Sequence, residues 1–245
     1  MLIKPAMNLE QVSPKKVSDF IFDRLEEAII LKEFMSDEQL PAERDLATIF
    51  NASRITVREA LARLESLGLV EKRVGAKGGT FVLPITRNSH LRNRDEMRRN
   101  WDSMIEVFEY RMVVEPGAAY LAAQRIGKAE LQELRNYVAA SIEPDCTREA
   151  FRSIDVRIHL SVARASGNVY FDHAVRQIRT KINPALDLMP YSDRVKANNY
   201  EAHRDLIAAL EAGDAERSRD IMYRHIEHSA EAIRARVFAD ESFED

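Results

Sequence analysis

An aspartate and three histidines are spaced so that they could bind one metal ion. Asp155 and His159 are four residues apart, which on a helix places both side chains on one face about one turn apart. His203 and His225 follow in later segments with helical patterns, and the helices of a bundle can bring such side chains together in its interior. Imidazole is a good ligand for zinc, nickel, iron or copper, and a carboxylate adds compensating charge. The residue types therefore indicate a metal site, although an isolated Asp/His pair at this spacing more often lies on the protein surface and binds no metal.

The other histidines leave one alternative open. His228 lies one turn from His225 and could be the ligand in its place. His90 falls in a polar segment and His173 near the start of a predicted helix, so neither is expected to bind the ion.

Four protein ligands would leave positions for water or an incoming carboxylate in an octahedral sphere. An open metal site of this kind would also suit a hydrolase or a small oxygenase. No HExxH motif is present in the sequence. We therefore expect a binding site and not an enzyme, and keep the metal-dependent enzyme as an alternative.

The elements that must position these residues are helical. Every segment beyond Trp101 has helical periodicity, and the predicted helices span residues 101–125, 128–141, 148–165, 170–187, 194–212 and 214–237. This predicts an all-α domain over residues 101–237 with a tail at 238–245. The polar residues 84–100 are predicted to form a linker that runs into a new helix.

Residues 40–82 predict two helices followed by a β-hairpin. Pro41 is suited to open the first helix, and Ser53 is suited to cap the second. Gly68 should end the second helix, and the glycines near Gly75 allow a tight turn between strands at 69–73 and 80–83. The apolar positions predicted to be buried on the second helix are Val57, Ala60, Leu61 and Leu64. With an amphipathic helix at 17–31, this makes residues 1–83 a second domain, preceded by a loose arm at 1–14.

Composition excludes several classes of protein. Cys146 is the single cysteine, which rules out a disulfide framework and fits a reducing cytoplasm. No apolar run approaches the roughly 20 residues of a membrane span, so we expect a cytoplasmic protein with no membrane partner. The net charge of −4 divides into +2 for residues 1–100 and −6 for residues 101–245. Binding of nucleic acid would therefore depend on the local placement of arginines and not on a global field.

The N-terminal stretch LPAERDLATIFNASRITVREALARLESLGLVEKRVGAKGGTFV (40–82) resembles the winged helix-turn-helix of the GntR family of bacterial transcription regulators. The later motifs resemble the FCD ligand-sensing domain of its FadR subfamily; they are FEYRMVVEPGAAYLAA (108–123), DVRIHLSVARASGN (155–168) and EAHRDLIAALEAGDAERSRDIMYRHIEHS (201–229). The resemblance implies a mainly α protein, with an N-terminal winged helix-turn-helix followed by an all-α helical bundle.

The resemblance also assigns DNA-binding residues. It implies that the second helix reads the major groove and that the wing approaches the minor groove. The residues expected to contact DNA are Arg44, Ser53, Arg54, Thr56, Arg58, Gly75 and Lys77. Ile55 departs from the family, where a polar residue is common, and could touch a thymine methyl group. Outside this context, Arg54 and Arg58 would be read as a solvated helix face.

For the helical domain, members with this pattern bind a divalent metal, which maps here onto Asp155, His159, His203 and His225. Zinc is the expected ion, with nickel, manganese or iron as alternatives. A small organic acid is the expected effector, and Arg111 matches the family arginine that faces the pocket. The alternative for Arg111 is an intrahelical pair with Glu115. Further effector-binding candidates are Arg179, Asn183, Tyr200 and Arg204.

These features predict a homodimeric regulator that binds a palindromic operator and releases it in response to the acid. Repression is the family default. The remaining alternative is a DNA-binding dimer whose helical domain senses no effector.

Overall fold

The computed structural model describes residues 15–75, 78–84 and 94–239. The predicted arm, most of the predicted linker (85–93) and the end of the tail (240–245) lie outside the described residues. The chain divides into two units, of which the first comprises residues up to Glu26 with Asp37–Leu83. The second comprises Glu27–Ser36 and the chain from Pro84 onward.

The first unit holds three helices and a two-stranded hairpin. Its elements are α1 (Val17–Ile30, of which the last four residues belong to the second unit), α2 (Glu43–Ile49), α3 (Arg54–Ser66), β1 (Val70–Arg73) and β2 (Gly79–Val82). The strands are antiparallel, and their register runs from Val70 opposite Val82 to Arg73 opposite Gly79. This is the predicted order of elements, so the winged helix-turn-helix fold is confirmed.

Helix α3 forms as its sequence predicts. The Ser53 side chain caps it by accepting a hydrogen bond from the Thr56 amide at 3.1 Å. The apolar positions predicted for its inner face are all buried: Val57, Ala60, Leu61 and Leu64. Helix α2, in contrast, begins at Glu43, because Ala42 has an extended conformation (ψ 150°) and is the N-cap. Pro41 therefore precedes the helix and does not open it.

Glycine is required at two positions of the wing. Gly75 has a φ of +119°, a backbone conformation that residues with a Cβ rarely adopt. A Cβ on Gly78 would lie 2.7 Å from the backbone oxygen of Arg73, so the turn leaves no room for one.

The second unit is a bundle of helices. The helices are α4 (Trp101–Arg125), α5 (Lys128–Ala140), α6 (Arg148–Ala165), α7 (Val169–Leu186), α8 (Asp193–Glu211) and α9 (Ala215–Phe238). Residues 94–99 are also helical and lead into α4. Helix α4 packs along α9 and also contacts α6, α7 and α8, so it lies at the centre of the bundle. The predicted all-α architecture is confirmed.

The segment 27–36 departs from the predicted domain boundary, which placed it in the N-terminal domain. Its Lys32 forms an ion pair of 3.1 Å with Asp187, and both side chains are almost completely buried. The amide of Asn183 donates to the backbone oxygen of Ile30 at 3.0 Å. These partners lie more than 150 residues away in the sequence, so local patterns could not reveal them.

Candidate functional site

The four predicted metal ligands converge inside the helical unit. Asp155 and His159 project from one face of α6, His203 from α8 and His225 from α9. One ligand atom from each residue can be chosen so that all four lie within 4.8 Å of one another. The imidazole centroids are 5.7 Å apart for His159 and His203, 5.3 Å for His159 and His225, and 4.7 Å for His203 and His225. The bundle thus forms one compact cluster of metal-ligating groups, which we call the Asp/His cluster.

Two nitrogens of the cluster have the properties of metal-binding atoms. The Nε2 atoms of His159 and His203 are buried and have no hydrogen-bond partner among the described residues. They lie 3.7 and 3.8 Å from the Oδ1 atom of Asp155, which is too far for a hydrogen bond. Because a buried polar atom without a partner costs free energy, the arrangement fits a metal ion as the missing partner.

A second set of side chains holds the ligands in place. The Nδ1 atom of His159 is hydrogen-bonded to Glu115, and the other carboxylate oxygen of Glu115 accepts from the Nε atom of Arg111 at 2.6 Å. Arg179 donates to the Oδ2 atom of Asp155, which leaves Oδ1 facing the histidines. Support of this kind is typical of metal sites, because it fixes the orientation of each ligand.

The electrostatic environment favours the protonation states that bind metal. Burial lowers the pKa of His203 to about 4, against an ordinary value of 6.5, although Asp155 acts in the opposite direction. Burial also lowers the pKa of His225 well below its ordinary value. Burial disfavours the charged form of Asp155, but neighbouring positive charge, above all that of Arg179, outweighs burial and holds the pKa of Asp155 well below the ordinary value. The neutral imidazoles of His203 and His225 and the ionised carboxylate of Asp155 are the states that bind a cation.

Glu115 remains ionised for a similar reason. Burial raises its pKa, but the nearby Arg111 and His159 outweigh burial, so that the pKa lies below its ordinary value. A carboxylate at this place holds the proton of His159 on Nδ1 and directs Nε2 toward the cluster.

A cavity of about 720 Å³ borders the Asp/His cluster. Asp155 and His225 lie in its wall, so a molecule in the cavity can reach the cluster. The other described residues that line it are Arg111, Arg152, Leu186, Met189, Pro190, Arg194, Val195, Asn198, Asn199, Ala202, Asp205, Ile221, Arg224, His228, Ser229 and Ala232. Its volume is within the range of about 300–1,000 Å³ that is common for small-molecule sites.

Of the predicted effector-binding residues, the structure places only Arg111 in the wall of this cavity. Arg179 is buried against Asp155, and Asn183 is buried and binds the backbone of Ile30. Arg204 is exposed and pairs with Asp205, and Tyr200 packs against an apolar cluster of the bundle. We therefore give Arg179 and Asn183 supporting positions and do not retain Tyr200 and Arg204 as effector ligands.

The two interpretations of Arg111 prove compatible. Its Nε atom pairs with Glu115, as the intrahelical alternative requires. Its Nη1 atom is buried without a hydrogen-bond partner among the described residues, and the residue lines the cavity. One guanidinium can thus hold Glu115 and still offer donors to a ligand.

Sequence reasoning missed two residues at the site. The sequence pattern indicates Glu115 only as a partner for Arg111. It assigns no role to Arg152, although Arg152 lies three residues before Asp155 on the same face of α6. Both residues could have been found in the sequence, because each is a charged residue at a position where the helical periodicity predicts a buried, apolar side chain. The remaining histidines lie apart from the cluster atoms: His228 is exposed and lines the cavity, His173 is exposed, and His90 is outside the described residues.

In the first unit, the predicted DNA-reading arginines are exposed around one half-buried glutamate. Glu43 of α2 accepts from Arg58 at 3.1 Å and from Lys72 at 3.1 Å, and lies 3.9 Å from Arg54. The hydrogen bond from Arg58 lowers the pKa of Glu43, against the opposing effect of burial. Glu43, which sequence reasoning missed, orients three cations on one surface.

The other predicted DNA-binding residues lie near this surface or beyond the described chain. The hydroxyl of Ser53 lies 2.8 Å from that of Thr56 at the start of α3, and Ile55 is exposed beside them. Arg44 is exposed on α2 and pairs only with its neighbour Asp45 among the described residues. Lys77 of the wing lies outside the described residues.

The structure also bears on a membrane location. Among the described residues, none of the helices is both long and apolar enough to cross a bilayer.

The sequence matches two known protein families. Residues 17–82 match the family described as bacterial regulatory proteins, gntR family, and residues 106–228 match the FCD domain. The first match covers the helix-turn-helix and wing, and the second contains all four residues of the Asp/His cluster.

Similar proteins include two regulators from Escherichia coli (strain K12). One, provisionally assigned as the L-lactate dehydrogenase operon regulatory protein, is 30% identical over 226 residues, which cover 88% of this chain and 85% of that protein. The Uxu operon transcriptional regulator is 26% identical over 219 residues, covering 83% of this chain and 81% of that protein. Among solved structures, E. coli McbR/YncC matches with a TM-score of 0.56 and 17% identity, covering 90% of this chain and 98% of that one. This last likeness shows the fold alone.

Proposed function

Since the chain belongs to the GntR family of bacterial regulatory proteins and carries an FCD domain, we propose that it is a metal-dependent transcriptional repressor controlled by a small carboxylate. Its helix-turn-helix binds operator DNA, as in the family. The acid binds at the Asp/His cluster, and its binding lowers the affinity for the operator. The observation that carries this proposal is the cluster itself, with two buried Nε2 atoms that lack a partner beside a cavity.

The ion would be held by Asp155, His159, His203 and His225. Three imidazoles and one carboxylate suit zinc, and nickel, manganese or iron could bind the same donors. When bound, the ion supplies a Lewis acid with open positions for an incoming carboxylate. The hydrogen bonds from Glu115 to His159 and from Arg179 to Asp155 orient two of the ligands toward it.

Arg111 would bind the acid from the wall of the cavity. Its free Nη1 donor is buried, where a charge-assisted hydrogen bond to a carboxylate is strong. The first relative is named for an L-lactate dehydrogenase operon, and the substrate of that enzyme is a hydroxycarboxylate, which supports an acid of this kind as the effector.

Two segments could transmit the effector signal to the DNA-reading unit. One is the linker at 84–100. The other is the segment 27–36, which is bound to the helical unit through Lys32 and continues from α1. Asn183 links this segment to α7, the helix from which Arg179 reaches Asp155.

We further propose a cytoplasmic homodimer that binds a palindromic operator. One recognition helix contacts only a few base pairs, which is too few for specificity, so two-fold symmetry is expected. Arg54 and Arg58 of α3 would contact bases and phosphates, and Ser53 and Thr56 would bind phosphate.

A thermal-shift screen tests the proposal. The full-length protein loaded with zinc is heated with each of a panel of small organic acids, and a ligand of the native state raises the melting temperature. We expect a subset of acids to do so with the wild type but not with the His203→Ala variant, and the same acids to release operator DNA in a gel shift. The matched control is His173→Ala, because His173 is exposed and lies outside the cluster.

Elemental analysis separates the alternatives. Equal metal content in the wild type and in His203→Ala, or none in either, would remove the metal site. A metal-loaded protein that no acid stabilises would instead indicate a DNA-binding dimer without effector sensing.

A further inference from the structure

Arg152 is a buried arginine that has no carboxylate partner. It is 7% exposed, and it makes no ion pair with any described residue. The other two buried arginines of the site are paired, Arg111 with Glu115 and Arg179 with Asp155. Asp155 and Asp187 are near enough to act on it electrostatically, but neither lies within ion-pair distance. Burying a guanidinium without a direct partner is costly, so its position needs a reason.

The contacts of Arg152 are with neutral groups. Its Nη2 atom donates to the backbone oxygen of Met189 at 3.2 Å and lies 3.5 Å from that of Pro190. Its Nε atom is buried without any hydrogen-bond partner in the described chain. Met189, Pro190 and Arg152 all line the cavity beside the Asp/His cluster. The unused donor therefore belongs to a residue in the wall of the proposed effector site.

Arg152 also lies on the same helix face as two of the predicted metal ligands. Arg152, Asp155 and His159 follow one another on the same face of α6. Three residues correspond to about 4.5 Å along a helix axis, so Arg152 begins one turn away from Asp155. An acid that binds the cluster through one carboxylate can direct its far end toward Arg152.

The wall of the cavity carries more positive than negative side chains, as a site for an anion requires. Arg194 and Arg224 are exposed at its wall, and among the described lining residues the four arginines outnumber the two aspartates, Asp155 and Asp205. A ligand with a single carboxylate at the cluster would leave Arg152 buried and unpaired. A planar guanidinium is well suited to bind a second carboxylate through two parallel hydrogen bonds.

We infer that Arg152 binds a second carboxylate of the effector, and that the effector is a short dicarboxylic acid which spans from the Asp/His cluster and Arg111 to Arg152. This inference rests on the proposed function, because it assumes that an acid binds at the cluster. Arg152 is then the residue that selects dicarboxylates over monocarboxylates of the same length.

Isothermal titration with matched pairs of acids tests the inference. The zinc-loaded full-length protein is titrated with butanedioate and butanoate, pentanedioate and pentanoate, 2-hydroxybutanedioate and 2-hydroxybutanoate, and glucarate and gluconate. The members of each pair share one end and differ in the second carboxylate. For at least one pair, we expect the diacid to bind about 10- to 100-fold more tightly, as a charge-assisted hydrogen bond in a buried site predicts.

Variants then assign the preference to one residue. In Arg152→Gln, the ratio of the two dissociation constants should fall to near one, because the affinity for the diacid falls much more than the affinity for the monoacid. Arg152→Lys should retain part of the preference, since it keeps the charge but loses the fork. Arg194→Gln is the control, because it removes an exposed arginine of the same cavity and should leave most of the ratio intact.

The outcomes separate the inference from the proposed function. If wild-type protein binds the members of every pair equally, or if Arg152→Gln keeps the wild-type ratio, Arg152 only braces the carbonyls of Met189 and Pro190. If no acid of either kind binds the zinc-loaded protein, the proposed function fails and this inference with it. Whether the site prefers diacids is decided by the wild-type protein alone, even if the Arg152→Gln variant does not fold.

Discussion

His159 and Glu115 are hydrogen-bonded through the Nδ1 atom of the imidazole, and the second oxygen of Glu115 accepts from Arg111. All three side chains are almost completely buried. The hydrogen bond between His159 and Glu115 joins α6, which bears two of the four cluster residues, to α4, the central helix of the bundle. The orientation of His159 is thus set by a residue 44 positions earlier in the chain.

The first prediction concerns this pair. Glu115→Gln removes the charge that holds the proton on Nδ1, and we expect zinc affinity to fall about 10- to 100-fold, as is common for groups that support a metal ligand. Competition with a chelating dye measures the change. Glu109→Gln, at an exposed position of the same helix, is the matched control. Unchanged zinc affinity in Glu115→Gln would show that the hydrogen bond does not support the ligand.

The second prediction concerns Arg111. Because Arg111 holds Glu115, Arg111→Ala should weaken zinc binding as well as acid binding, so the assay must be made with saturating zinc. Under that condition, the variant should bind the operator with wild-type affinity and lose release by the acid. Gel-shift titration with and without acid gives both quantities. Release at the wild-type acid concentration would mean that Arg111 acts only through Glu115.

The third prediction concerns pH. The pKa of His203 is about 4 in the folded protein and ordinarily 6.5, so between these values the unfolded chain binds more protons than the native one. Stability of the metal-free protein should therefore be full above pH 6.5 and decrease as the pH falls toward 4. The urea midpoint at a series of pH values measures this dependence. His203→Gln should make the dependence shallower, with the part due to His225 remaining, whereas His173→Gln should leave it unchanged.

The lowered pKa values of His203 and His225 also change the pH at which metal is released. From the ordinary value of histidine, affinity would be expected to fall below about pH 6. Because burial keeps His203 and His225 neutral at lower pH, protons should begin to compete with the metal only at a more acidic value. Zinc content after dialysis at pH 5.5 tests this, and complete loss there would contradict it.

The fourth prediction concerns the DNA-reading surface. Arg58→Ala should weaken binding to the operator by ~1–3 kcal/mol, because a guanidinium that contacts a base or phosphate is lost. Arg135→Ala, which removes a partly exposed arginine of α5 that pairs with Glu211 in the helical unit, is the control. Fluorescence anisotropy with operator DNA measures both affinities. Equal affinity for Arg58→Ala and wild type would remove Arg58 from the interface.

Local sequence patterns were sufficient for the elements of this protein. The cap at Ser53 and the periodicity of the apolar residues predict α3 and the six helices of the bundle to within a few residues. These signals act over one or two turns of helix, so they can be read without knowing the partner of each face. The Asp/His spacing on α6 is of the same kind, and it predicts that two ligands share a face.

Tertiary packing alone decided which buried charges meet. Periodicity shows that a face of α6 is buried, but it does not show which helix covers that face or how far along. Arg179 was expected in the pocket and instead holds Asp155, whereas Arg152, on the same face as the ligands, lines the cavity without a direct ion pair. Lys32 finds its carboxylate at Asp187, 155 residues away. Such pairs depend on the relative rotation and shift of whole helices, which is a property of the bundle and not of any single segment.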